Sequence, residues 1–464
     1  MATISSAGIG SGLDVNSIIT QLMAIERQPL TKMQAQEKTL QSTVSEYGKI
    51  KSAVSTLRDL SSKLASNLTW SQTVSTSSNA AAVSASTNGS VAGHYDVAVT
   101  KLASAQTLAT GVFASPLDKP GAGPLHIEVG TWGAGQTSFT QKSGSTAIDL
   151  TIDANDTLSD VRDKINSAGS DITAMLMTDG SGTRLLLRSN TTGADSGFQT
   201  TGLSALTYDT GSKVMTQSQT AQDSAATLNG IAISSSTNTY ANVVDGLTLN
   251  LSAVTTDPVS VDVVSDKDSI KKTMTDFAAA YSDLVKMIAA DTKYDAAAKK
   301  AGLLQGDSAA VGIQRQIRNL AGAMSGASTT FGRLSDAGFQ LQADGSMTVD
   351  DTKIGNALAN LPELKKMFSS SSITDPTLDG FGKRFRVLTA AMLASDGTLA
   401  SRADGLNSNL DRNHHNQDSF NDRLAATEKR LRAQYTALDA TMAKLNGVSG
   451  YVTQQIAQYN KNTG

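Results

Sequence analysis

Three groups of residues in this chain have types and spacings that could do chemistry. The first is a glycine loop in "SAGIGSGLDVNSIITQLM" (Ser6–Met23), where Gly8, Gly10 and Gly12 alternate and run into an apolar helical pattern. Such loops hold phosphates when a strand precedes them and a helix follows. Only "ATISSA" stands before this one, no strand–helix–strand unit follows, and the Gly-Lys-Ser/Thr of a nucleotide P-loop is absent. The second is Asp153, Asn155 and Asp156, which begin like a calcium loop. The pattern then needs Gly at its sixth position and Glu at its twelfth, where this chain has Leu158 and Lys164. The third is the histidines, His94, His126, His414 and His415. The adjacent pair diverges by about 100° on a helix and cannot share a metal ion. No Gly-x-Ser-x-Gly elbow occurs, and the chain has no cysteine, so thiolate chemistry and disulfides are excluded. The expectation is no catalytic residue, no cofactor and no metal.

What these residues sit on is more informative. Ser11 and Asp14 fit the Ser-x-x-Asp spacing of a capping box, with Val15, Ile18, Ile19, Leu22 and Met23 following at helical intervals. Pro29 breaks that helix and opens another. In the second, Leu30, Met33, Leu40, Val44, Tyr47, Ile50, Val54, Leu57, Leu60, Leu64 and Leu68 recur at steps of three and four, with Glu37 in the seam. Its length would be roughly 58 Å. The other end of the chain mirrors it. Leu406, Leu410, Phe420, Leu424, Leu431, Tyr435, Leu438, Met442, Leu445, Val452, Ile456 and Tyr459 fit one heptad ladder with a single stutter, weakened at Asn413 and Gln417. Both stripes are narrow, so each helix needs a partner, and the simplest partner is the other terminus.

Between the two, residues 72–264 are rich in Ser, Thr and Gly, with short alternating runs that read as strands, such as "HYDVAVT" (His94–Thr100) and "GLTLNLSAV" (Gly246–Val254). Two segments, Asp149–Asn166 and Gly230–Leu247, read as a repeat of strand, polar turn and short helix. Helices resume near Asp266, Asp307-Ser308 can cap one of them, and Phe339–Asp350 reads as a hairpin. Charged residues are only 17% of the 464 and the net charge is −3, which gives nucleic acid no basic stripe to meet. No window approaches the ~18 apolar residues of a membrane span. The start lacks the basic and apolar regions of a secretory signal, so the expectation is a cytoplasmic protein or one exported with its N-terminus uncut.

The fold class expected is α+β and multidomain: terminal helices paired as a coiled-coil-like leg, a mixed helical domain, and β-rich head domains inserted in the middle. The boundaries expected are an N-terminal arm and leg helix over 1–71 and an inner head domain from 72–105 and 225–264. An outer head insert takes 106–224, a helical domain with a hairpin 265–404, and a C-terminal leg helix 405–464. The leg packing falls on Leu22, Leu30, Leu40, Tyr47, Leu57, Leu64, Leu424, Leu431, Leu438, Met442 and Leu445.

Several stretches resemble one family in one order: Gly8–Leu30, Val83–Leu108, Thr227–Leu251, Gly302–Leu320, Leu334–Ile354 and Arg423–Ile456. They are similar to the flagellar filament cap family, flagellar hook-associated protein 2. Residues from about 113 to 226 match weakly and look like insert modules of flagellins. The resemblance makes Gly10, Ser11, Gly12, Leu13 and Asp14 the N-terminal cap signature. It implies a non-enzymatic ring, expected to be pentameric, at the distal tip of the bacterial flagellum outside the cell. There it would promote folding and incorporation of exported flagellin. The implied partners are further copies of itself, flagellin, hook–filament junction proteins, the flagellar type III export apparatus and a cytoplasmic export chaperone, with no nucleic acid and no membrane insertion. Residues 1–30 are also expected to be disordered in the free subunit. Two alternatives stay open: another axial protein (flagellin or a junction protein), and an adhesin that binds host mucin or glycan through the head.

Overall fold

The computed structural model describes residues 14–297 and 299–462. In chain order the helices among them are α1 (Val15–Glu26), α2 (Gln28–Ala65), α3 (Asn67–Trp70), α4 (Leu158–Ser167), α5 (Lys267–Thr292), α6 (Ser308–Ala321), α7 (Asp351–Ala357), α8 (Leu361–Ser369), α9 (Phe381–Leu393) and α10 (Thr398–Asn462). The chain divides into two units, one joining Met1–Asn67 to Lys271–Gly464, the other Leu68–Ile270. None of the described helices is long and apolar enough to cross a membrane.

In the first unit the two ends of the chain pair. Along α2, Tyr47, Ile50, Val54, Leu57 and Leu64 are buried at helical intervals. Their stripe does not meet a single partner. It lies against α9 as well as α10, because a face carrying residues at steps of three and four is wide enough to seat two helices. Gly382 at the start of α9 lets that helix touch α2: a Cβ there would stand 2.8 Å from the Ala65 amide nitrogen. Below them, rings meet edge to face, Phe277 of α5 with Phe385 at 5.2 Å and with Phe339 at 6.0 Å. The hairpin strands Phe339–Leu341 and Met347–Val349 dock on α5 through Ser282, whose hydroxyl donates to the Met347 carbonyl (2.6 Å) and accepts from its amide (2.8 Å).

The second unit holds two apolar cores. One lies beneath an antiparallel sheet in the order Thr73–Ser77, Val259–Ser265, Gly93–Lys101, Ser224–Leu228, Ile231–Ser235, and a three-stranded sheet centred on Leu247–Leu251. Alternation explains it: Tyr95, Val97 and Val99 point one way from the Gly93–Lys101 strand and are buried with Val261, Leu247 and Leu249. The other core gathers Leu108, Leu125, Ile127, Leu185, Leu187 and Phe198 from two further sheets, with Leu158, Val161 and Ile165 of α4. Thr157 caps α4 in a capping box with Asp160, so the would-be calcium loop is a strand-to-helix turn.

Three expectations change. The second copy of the supposed repeat makes no helix: Ile231–Ser235 and Thr239–Val244 are both strands. Its "TYANVV" is β-branched and aromatic, and Tyr240 is buried in the sheet core, where a strand places it and a helix would not. The box proposed for Ser11 and Asp14 is replaced by a simpler cap, Asp14 itself, which accepts from the Ser17 amide at 3.0 Å; Ser11 lies outside the described residues. Within the arm 1–30 expected to be disordered, residues 15–26 are helical, because Val15, Ile19 and Met23 find an apolar seat on α10; residues 1–13 of that arm lie outside the described residues.

Truncating Phe277, which is fully buried, is expected to cost about 3–5 kcal/mol. Urea unfolding of the full chain with Phe277→Ala, followed by helical circular dichroism, measures this. Val387→Ala on the exposed side of α9 should stay within about 0.5 kcal/mol of the parent.

Candidate functional site

The residues that stand out are those joining the two ends of the chain. Three successive contacts fix how they lie. Arg432 of α10 reaches Asn16 of α1 at 3.4 Å, His414 and Gln417 reach Glu37, and the Arg402 guanidinium lies over the Tyr47 ring at 5.9 Å. Numbers rise on one side as they fall on the other, so the helices run antiparallel.

Arg402 belongs to the most buried of these contacts. Asp307 is the N-cap of α6 and accepts from the amides of Ala309 and Ala310. The same carboxylate accepts from the Tyr47 hydroxyl at 2.7 Å and from two Arg402 nitrogens at 2.8 and 3.0 Å. Its side chain is 6% exposed. Burial pushes the Asp307 carboxyl up, but the Tyr47 hydroxyl, the Ala310 amide and Arg402 outweigh it and hold it below the ordinary value. Burial and the neighbouring carboxylate push the Tyr47 phenol up, so it stays a donor. One side chain therefore joins α2, α6 and α10.

A polar layer comes next. Gln417 donates to Glu37 Oε2 at 2.7 Å and to Asn413 Oδ1 at 2.6 Å, while His414 Nε2 lies 2.9 Å from Glu37 Oε1. Asn413 and Gln417 are buried. Gln417 first, then His414, hold the Glu37 carboxyl below its usual range. The weak point read in the ladder is thus a satisfied layer, and a polar layer in a helical seam sets register. Beyond it Val15, Ile19, Met23 and Leu424 are buried together, with Leu30, Phe420, Leu431 and Tyr435 packed against them.

The leg residues named from sequence fall into three groups. Tyr47, Leu57, Leu64 and Leu424 are buried. Leu22, Leu30, Leu40, Leu431 and Met442 are half-buried. Leu438 and Leu445 are exposed, at 45% and 57%, and the apolar cluster that α1 makes with α10 ends at Tyr435. The last two therefore do not pack on the described N-terminal helices. Of the N-terminal signature only Asp14 is described, as the α1 cap; Gly10, Ser11, Gly12 and Leu13 lie outside the described residues. Sequence reasoning missed Arg402 and the Tyr47–Asp307 link. These side chains are 95 and 260 positions from Asp307 respectively, and no local pattern connects them. Among the described residues no cluster of three His, Asp or Glu is placed to hold a metal. His94 and His126 instead face Asp262 and Asp149 across neighbouring strands, each at 2.7 Å.

Residues 11–106 match the family description "Flagellar hook-associated protein 2 N-terminus", residues 221–447 its C-terminus, and residues 138–191 the "Flagellin hook IN motif". The chain is 30% identical to the flagellar hook-associated protein 2 of Escherichia coli K12, with 98% of each chain covered. It is 29% identical to the A-type flagellar hook-associated protein 2 of Pseudomonas aeruginosa, covering 97% of this chain and 96% of that one. Among solved structures it is similar to the D1-D2-D3 domains of the Escherichia coli flagellar cap protein FliD, with a TM-score of 0.60 and 28% identity over 78% of this chain and 99% of that one.

The Asp307 node and the Glu37 layer make separate predictions. Asp307→Ala leaves the buried Tyr47 hydroxyl without its acceptor and removes a helix cap, and should cost about 2–4 kcal/mol in urea unfolding. The lowered pKa of Glu37 gives stability that is complete above the unfolded carboxyl value of about 4.3 and is lost as pH falls through the lower folded value. Comparing unfolding midpoints from pH 7 to pH 3 should show a smaller acid loss in Glu37→Gln than in the parent.

Proposed function

The chain belongs to the flagellar hook-associated protein 2 family, and we propose that it is a structural cap at the tip of the bacterial flagellar filament. Copies close into a ring and promote the folding and insertion of exported flagellin beneath it. No covalent step is required of any residue. A ring made of one subunit type uses a head-to-tail interface that closes on itself, and flagellin is its second partner. The protein works outside the cell and reaches the tip through the flagellar type III export apparatus, held beforehand by a cytoplasmic chaperone; hook–filament junction proteins adjoin it at the start of growth.

The observation that carries this reading is the antiparallel pairing of the two chain ends, in a chain that cap relatives match over nearly its whole length. A leg made from both ends suits a subunit that must shift as the filament lengthens. Its contacts differ in strength along its length: a deep ionic node at Asp307, a polar layer at Glu37, then a small apolar cluster holding α1. Opening from the α1 end costs least, because few buried contacts hold it. In this reading the inner head is 72–105 with 225–264, the outer insert is 106–224, and the leg is the remainder.

The test is complementation of a cap-deficient strain. Leu431→Asp, in the α1 cluster, is expected to abolish filament growth while the strand-rich unit keeps its fold by circular dichroism. Unimpaired swimming with this variant overturns the leg account. Purified chain should assemble into closed rings under the electron microscope, and long filaments instead would make it a flagellin-like subunit.

A further inference from the structure

The two histidines of the strand-rich unit are built into the same arrangement. His94 stands directly opposite Asp262 where the strands Gly93–Lys101 and Val259–Ser265 pair, and Asp96 follows two residues on, on the same face. His126 stands directly opposite Asp149 where Gly123–Trp132 pairs with Ile148–Ile152, and Glu128 follows two residues on. Each ring lies between two carboxylates. His94 Nδ1 is 2.7 Å from Asp262 Oδ1 and its Nε2 is 3.2 Å from Asp96 Oδ1. His126 Nδ1 is 2.7 Å from Asp149 Oδ1 and its Nε2 is 3.1 Å from Glu128 Oε1. The other partners of these acids are neutral: the Ser260 hydroxyl donates to Asp96 at 3.1 Å and the Gln199 amide to Glu128 at 2.7 Å. The strands on the far side, Ser224–Leu228 beside His94 and Gly197–Thr201 beside His126, carry no charged residue.

A neutral imidazole has one N–H and one lone pair, so in either tautomer one of the two carboxylates faces a lone pair. Only the imidazolium, with two N–H groups, satisfies both. We propose that His94 and His126 are proton-operated clasps: protonated, each ties two strands of the strand-rich unit together, and as the pH rises each lets go, so that this unit is held more firmly in mildly acidic than in alkaline surroundings. Asp262 first, then Asp96, hold the pKa of His94 above its ordinary value of about 6.5, and Asp149 first, then Glu128, do the same for His126, against the opposing pull of burial. Stability from such a group is complete below the unfolded value and is lost as pH rises through the higher folded one. The direction is opposite to that of Glu37, whose contribution is lost on acidification. The two histidine side chains are 55% and 33% exposed, so ambient pH reaches both clasps directly. They do not depend on the cap reading.

Both tryptophans of the chain, Trp70 and Trp132, lie in the strand-rich unit, so tryptophan fluorescence follows its unfolding within the full-length protein. The urea midpoint of the parent should fall as the pH is raised from about 6 to about 9. With His94→Gln and His126→Gln combined, that fall should shrink to about a third or less of the parent's. Asp262→Asn combined with Asp149→Asn keeps both imidazoles, removes the carboxylate at each Nδ1, and should flatten the profile likewise. A parent no more stable at the acid end overturns the proposal. So does a fall of undiminished size in either double variant, which assigns the titration to other groups. Imidazole titrations of the parent, read by nuclear magnetic resonance, decide the matter even where a variant does not fold. Both midpoints should lie above about 6.5, and a histidine that titrates at or below that value is no clasp.

Discussion

A single carboxylate, Asp307, carries the geometry of the helical unit. It starts α6 by capping its amides, and it draws Tyr47 of α2 and Arg402 of α10 to the same pair of oxygens. Arg402 remains 38% exposed while Asp307 is almost fully covered. The arrangement is therefore directional: the acid is committed, and the base keeps contact with water. Breaking it strands a buried negative charge, which is why such a node resists sliding of the helices around it.

Away from the node the pairing of the chain ends weakens in steps. The Glu37 layer exchanges apolar packing for hydrogen bonds that are satisfied in one register only, with His414, Gln417 and Asn413 all engaged. The α1 segment then rests on a cluster of a few side chains. A gradient from an anchored end to a lightly held one is what a subunit needs if it must stay folded while its end re-pairs. Past the lightly held end, Leu438, Leu445 and Val452 of α10 are exposed.

The strand-rich unit has a different economy. Its cores come from alternation along short strands, as in Tyr95, Val97 and Val99, and its turns from glycine and polar caps. Gly246 shows the turn constraint: it has φ of 74° and a Cβ would sit 2.5 Å from the Asn88 carbonyl, so only glycine closes that hairpin against its neighbour.

Periodicity by itself determined much of this protein. Steps of three and four marked α2 and α10, alternation marked the strand Gly93–Lys101, and Asp307, Asp14 and Thr157 are capping residue types placed before apolar runs. These signals are local, and local sequence controls local backbone. The order of the motifs was equally legible and pointed to the flagellar cap family. Tertiary structure alone decided what each stripe meets. Nothing within α2 tells that α9 shares it with α10, that Arg402 closes on Asp307, or that Asn413 and Gln417 have an acceptor in Glu37. It also turned Thr239–Val244 from helix to strand by burying Tyr240 in a sheet. The reason is common to all of these: an apolar or polar pattern states that a face requires a partner, while the identity of the partner depends on chain segments hundreds of residues away, and only the packed fold brings them together.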